Sequence, residues 1–128
     1  TTLVRSLLQQ LLAHSIAANM VEQDRHHSSS QNKFTSDGKR TWEGPQFTNW
    51  ETLHGAVTAA RQHCSVILVE GYTLLDGPPS LLALFDAIMW VDSTKELCIQ
   101  RRNSHPSTHK YGLLGWASAA EYAEQCVW

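Results

Sequence analysis

Ser65-Val66-Ile67-Leu68-Val69, followed by Glu70-Gly71, is the stretch on which the fold turns. An unbroken aliphatic run with no polar alternation describes a strand covered on both faces, as in a parallel sheet packed between helices. Upstream, Asn19–Asp24 (NMVEQD) is a short apolar piece ending in acid, and downstream Asp86–Val91 (DAIMWV) reads as another strand. Helical spacing fills the intervals. Leu3, Leu7, Leu8, Leu11, Leu12 and Ile16 form one apolar stripe in a helix running to about Ala18, expected to be core. Pro45 sits near the start of a second helix through Trp50, Leu53, Val57 and Ala60. A short helix over Ser80–Phe85 follows the break at Gly77-Pro78-Pro79. Ser93 and Glu96 have capping-box spacing for a helix to about Asn103, and Ala117–Val127 is a last amphipathic helix. Strands alternating with helices predict an α/β domain with a mainly parallel sheet. Residues 25–44 and 104–116 are polar and aperiodic and read as long functional loops.

Composition narrows the partners. The 128 residues, 42% hydrophobic and 17% charged, suffice for one domain with one core. Ten Lys+Arg against twelve Asp+Glu leave a net charge of −2, so no basic field draws nucleic acid or an anionic membrane. Cys64, Cys98 and Cys126 are odd in number and lack metal-ligand spacing, which points to a reduced compartment and a cytoplasmic chain. No uncharged apolar run reaches the roughly 18–20 residues that span a bilayer.

In open α/β sheets ligands bind beyond the carboxyl ends of the strands. Asp24, Glu70 and Asp92 stand at or just past such ends. Asp92 equally suits a capping role beside Ser93. Asp24 and Glu70 could hold a hydrated Mg²⁺ and deprotonate a hydroxyl, or simply cap the loops that follow. Arg101 and Arg102 either bind phosphate or favour the C-terminal dipole of their helix. Trp42, beside Glu43 in a polar loop, suits binding, whereas Trp50 and Trp90 lie on apolar runs and are expected in the core. Cys98 is expected as a small apolar residue on its helix. His26-His27 and His105/His109 lack cysteine or acid partners at zinc-ligand spacing.

Several stretches together carry a family resemblance. Thr1-Thr2-Leu3 opening a helix looks like the tail of a GKTTL phosphate-binding loop. Gln23-Asp24 is similar to the QD of a QDDFF or QDSFY motif, and Trp42-Glu43, with Trp50-Glu51 eight residues on, to a nucleoside-binding aromatic-plus-acid pair. Val69–Leu75 (VEGYTLL) is close to IIEGFLLF, and Cys98–Arg102 (CIQRR) to CKRRR. Tyr122 with Val127-Trp128 resembles the YFxxxVW that follows a lid. In that order they make the chain resemble the uridine kinase-like P-loop kinases, most closely the nicotinamide riboside kinases.

The resemblance implies a single P-loop kinase domain over residues 1–128, of the three-layer α/β/α nucleoside monophosphate kinase-like type. It makes 25–44 the substrate loop and 104–116 the lid. The chain then begins just after the glycine and lysine of the phosphate loop and ends just after the lid. On that reading it lacks its first strand, and these residues alone are expected not to turn over ATP efficiently. The implied reaction is transfer of the γ-phosphate of MgATP to the 5′-hydroxyl of a riboside. Nicotinamide riboside, as in NAD salvage, is preferred; uridine or cytidine, or a non-catalytic binding role, are the alternatives. Thr1 and Glu70 would serve Mg²⁺, and Thr1, Thr2, Arg101 and Arg102 the nucleotide. Asp24 would be the base, assisted by Glu70. Trp42 would stack on the nicotinamide, Glu43 would bind the ribose hydroxyls, and Tyr111 is the candidate second stacking aromatic. The chain departs from the pattern at Arg25-His26-His27, where the family has an acid or Ser and two aromatics, and at His105, where a lid Arg is usual. The stretch from His105 to Tyr122 is also longer than the usual lid. These departures bear on the choice of nucleoside more than on the reaction.

Overall fold

The computed structural model describes residues 2–28, 33–34, 38, 40–41, 44–104, 118 and 121–122, with the backbone alone for 33, 34, 40, 41 and 102. Two compact units divide the chain, one made of residues 1–29 and 44–87, the other of 30–43 and 88–128. The fold is a small α/β arrangement containing a two-stranded parallel sheet and, among the described residues, four α-helices.

The first unit opens with α1 (Thr2–Ala13), shorter than the predicted helix to Ala18. Ser15, at φ 58°, sits in the left-handed region and stops it. The Ile16 N–H then donates to the Leu11 carbonyl and the Ser15 N–H to the Leu12 carbonyl, both at 3.0 Å, the paired bonds of a left-handed C-terminal cap. The reversal leads straight into β1 (Ala18–Glu22). After a 3-10 turn over Gln23–His26 and another over Pro45–Phe47, α2 (Trp50–Ala60) carries the chain back to β4 (Val66–Glu70). Pro45 therefore begins the 3-10 turn, not the helix. The cap of α2 is Asn49, whose side chain accepts from the Thr52 N–H at 3.1 Å.

β1 and β4 pair in parallel with Ala18 opposite Val66 and Glu22 opposite Glu70. Alternation along each strand separates the faces. Val21, Ile67 and Val69 pack with Leu53 and Val57 of α2 and with Leu81 of α3 (Pro79–Leu82), which is the core of the unit. Trp50 packs against that core, as expected. Glu22, on the opposite face, reaches Arg5 of α1.

The leucine stripe of α1 is not core. Val4, Leu8 and Leu11 are half-buried, while Leu3, Leu7 and Leu12 are exposed. At 3.6 residues per turn these apolar positions spread over roughly half the circumference. Two strands about 4.8 Å apart cover only the centre of so wide an arc.

In the second unit, β2 (Lys33–Phe34) and β3 (Arg40–Thr41) form a short antiparallel pair inside what sequence reads as one loop. The strand expected over Asp86–Val91 is absent: the segment has no regular structure, and Trp90, expected in the core, is 70% exposed. A strand exists only through the ladder that satisfies its backbone, and among the described residues none pairs with this segment. α4 (Lys95–Asn103) ends as predicted, but its cap is Thr94, whose hydroxyl accepts from the Leu97 N–H at 3.3 Å, rather than Ser93. Asp92 accepts from the Ser93 N–H at 2.8 Å, a bond that lies before the helix rather than in its cap. Cys98 is half-buried on α4. Tyr122 is fully buried, and most of the predicted last helix lies outside the described residues.

The left-handed cap yields a stability prediction. A residue with a Cβ costs about 1–2 kcal/mol in that conformation, partly offset by the entropy that glycine loses on folding. Ser15→Gly is expected to raise unfolding stability by up to about 1 kcal/mol in urea titrations; a loss of stability would show that the cap geometry is wrong.

Candidate functional site

The carboxyl rim of the β1–β4 pair gathers the polar groups. Parallel pairing places Glu22 and Glu70 side by side at the strand ends, and Asp24 stands in the 3-10 turn that leaves β1. The Arg5–Glu22 bond at 2.9 Å brings the first turn of α1 to the same end. Two predicted residues, Asp24 and Glu70, thus share one rim with the amino end of the opening helix.

What fixes that rim is a buried amide. Gln23 is fully buried on the α2 face. Its Nε2 donates to Thr48 Oγ1 at 2.7 Å and to Thr73 Oγ1, and its Oε1 accepts the Thr73 backbone N–H at 3.2 Å. Because a backbone N–H can only donate, Oε1 must face it, and the two amide hydrogens are left for the two hydroxyls. The amide therefore ties the end of β1 to the segment after β4 and to the approach of α2. Gly71 is required by the same contact: a Cβ there would come within 2.6 Å of Gln23 Cβ and 2.9 Å of its Cδ.

The turn is clasped on its other side. Asn49 N–H donates to the His26 carbonyl at 2.6 Å, Ser28 N–H donates to the Phe47 carbonyl at 2.7 Å, and His27 bridges Thr48. The Thr52 hydroxyl donates to the Asn49 carbonyl at 3.0 Å, so it accepts from His26 Nδ1 at 3.1 Å. This makes His26 the Nδ1–H tautomer when neutral. Burial pushes the His26 pKa down. Asp24 projects outward, 71% exposed, with His27 Nε2 3.7 Å from its Oδ1.

Glu22, on the α1 face, is buried with both oxygens engaged: Arg5 Nη2 on Oε1 and Arg25 Nε on Oε2. The Arg5 hydrogen bond holds its carboxyl below the ordinary range, against the opposing effect of burial.

Thr1, Trp42, Glu43 and Tyr111 lie outside the described residues, as does nearly all of 104–116. Thr2 is the first, exposed residue of α1. Arg101 and Arg102 are on α4, in the second unit, with Arg101 exposed. Among the described residues no group of three His, Cys, Asp or Glu side chains is arranged to hold a metal. No helix of the described residues is long and apolar enough to cross a membrane.

Sequence reading missed the roles of Glu22, Arg5, Thr48 and Thr73. The i,i+3 spacing of Glu22 and Arg25 is a visible hint of their pairing. The Gln23–Thr73 and Arg5–Glu22 contacts, 50 and 17 residues apart, leave no periodic mark in the chain.

No family model, no curated protein and no solved structure matches this chain.

Stability should depend on pH through two groups. Glu22 favours the folded state when ionised, so its contribution is complete above its ordinary value of 4.5 and is lost as pH falls through the lowered folded value. His26 resists protonation when folded, so a separate loss begins as pH drops below its ordinary 6.5. Urea titrations across pH 7.5 to 3 should show both limbs, and Glu22→Gln should flatten only the more acidic one. An unchanged acid limb in that variant would exclude the pairing.

Proposed function

We propose that the chain is a small-molecule kinase of the P-loop type, transferring the γ-phosphate of MgATP to a riboside 5′-hydroxyl, with nicotinamide riboside preferred over uridine and cytidine. The observation that carries the reading is the parallel register that sets Glu22 beside Glu70 with Asp24 in the next turn. Carboxylates at that rim meet the need of phosphoryl transfer, which is mostly positioning and charge stabilisation. Asp24, exposed at the rim, would accept the hydroxyl proton, and Glu70 would assist it.

The donor set fits a Mg²⁺ carried in by phosphate. Glu22 has both oxygens engaged by arginines, and Asp24 and Glu70 are the rim carboxylates that would serve the metal. Mg²⁺ is commonly held by one or two carboxylates plus substrate phosphates. When bound it would neutralise charge developing on the phosphate oxygens. By the family resemblance, Thr1, Thr2, Arg101 and Arg102 would supply the nucleotide contacts. Trp42, Glu43 and Tyr111 complete those to the riboside. A reduced cytoplasmic setting suits such an enzyme.

A second reading rests on His27, whose ring stands 3.7 Å from the Asp24 carboxylate where the resembling family has an aromatic residue. A histidine beside Asp24 in place of that aromatic suits a module that binds nucleotide without transferring phosphate.

One assay separates them. The complete gene product is expected to phosphorylate nicotinamide riboside with MgATP. Asp24→Ala should lower turnover about 10²–10⁴-fold with ATP affinity retained. Phosphorylation of none of the three ribosides would sink the kinase reading, and an Asp24→Ala protein with undiminished turnover would remove Asp24 as its base.

A further inference from the structure

We propose that Arg5 and Arg25, cross-linked by the buried Glu22 carboxylate, form a binding site for a phosphate group, inorganic or monoester. The two guanidiniums come from different elements, the first turns of α1 and the turn after β1. They bond opposite oxygens of one carboxylate, so they stand no farther apart than that group and two hydrogen bonds can span. Glu22 engages one guanidinium through each of its oxygens, and Glu70 stands beside it at the same rim.

Each guanidinium carries five N–H donors, of which Glu22 takes a small share. Both arginine side chains stay open to solvent, Arg5 57% and Arg25 73% exposed, while Glu22 is 8% exposed. Anchoring on a buried group also removes rotamer freedom before any ligand arrives, which lowers the entropic cost of binding. Asp24, next to Arg25, has its own contact in His27.

The chemistry selects the ligand. A tetrahedral phosphate presents oxygens in several directions and can engage two guanidiniums at once. The place agrees, because ligands of open α/β sheets collect at the carboxyl ends of the strands. This claim stands apart from the kinase reading: a chain that binds phosphate without transferring it satisfies the one and fails the other.

The test is an NMR titration of the 128-residue chain with inorganic phosphate, following the arginine Nε–H resonances, against sodium chloride at matched ionic strength. Saturable shifts at Arg5 and Arg25 are expected with phosphate and not with chloride. Arg25→Gln should weaken binding about tenfold or more, since charge-assisted bonds are lost. Arg61→Gln, on the surface at the end of α2, should leave it unchanged. Arg25 is exposed and its loss leaves the Arg5–Glu22 bond in place, so this variant remains folded. Equal shifts with chloride, no saturation, or unchanged affinity in Arg25→Gln would each overturn the proposal. The same titration with a riboside 5′-monophosphate and with the unphosphorylated riboside tells a monoester site from one for the free ion. Binding of neither phosphate species also overturns it.

Discussion

The primary amide of Gln23 is the constraint from which the rest of the first unit follows. Parallel strands cannot be joined by a tight turn, so β1 and β4 are linked through α2 and their carboxyl ends are brought together only by tertiary contacts. Gln23 supplies those contacts at one point, to Thr48 before α2 and to Thr73 after β4. A fully buried amide with donors and acceptor all engaged is stabilising, whereas one left unpaired is costly. The register that sets Glu22 beside Glu70 is therefore specified by chemistry as well as by the apolar faces. Gly71 belongs to the same device, since the amide occupies the space where a side chain would stand.

The two faces of β1 divide the work. Toward α2, Val21 enters the apolar core and Gln23 closes it at the rim. Toward α1, Glu22 draws Arg5 and Arg25 onto the strand end. Three consecutive residues, Glu22, Gln23 and Asp24, thus have three fates: an ion-paired carboxylate, a buried amide and an exposed carboxylate. The arrangement lets an acid face solvent at the rim while the strand beneath it stays fixed.

Much of this was legible in sequence, and the limits have physical causes. The unbroken Val66–Val69 run and the helical spacing of Leu53, Val57 and Ala60 led to a parallel strand and to the helix packed on it. Every residue of that strand is nevertheless half-buried rather than covered on both faces. Asp24 and Glu70 were legible as rim residues because an acid directly after an apolar strand falls at its carboxyl end. Asp86–Val91 misled because apolar content reports a tendency to pair, while pairing itself needs a neighbouring ladder. The α1 leucines misled in the same way, since periodicity describes the helix and not the width of the sheet it meets. The end of α1 was hidden in Ser15, which carries none of the usual glycine signal for a left-handed cap. Gln23 was legible as part of a motif, but its partners at Thr48 and Thr73 are products of the fold.

The central claim, that one buried amide bond couples the ends of β1 and β4, is open to a double-mutant cycle. Gln23→Met and Thr73→Val preserve shape while removing the amide and the hydroxyl, singly and together, with stability read from urea unfolding. Coupling of about 1–2 kcal/mol is expected for a buried hydrogen bond whose partner is otherwise left unsatisfied. Additivity of the two changes within about 0.5 kcal/mol would contradict the account, for residues in genuine contact do not behave independently.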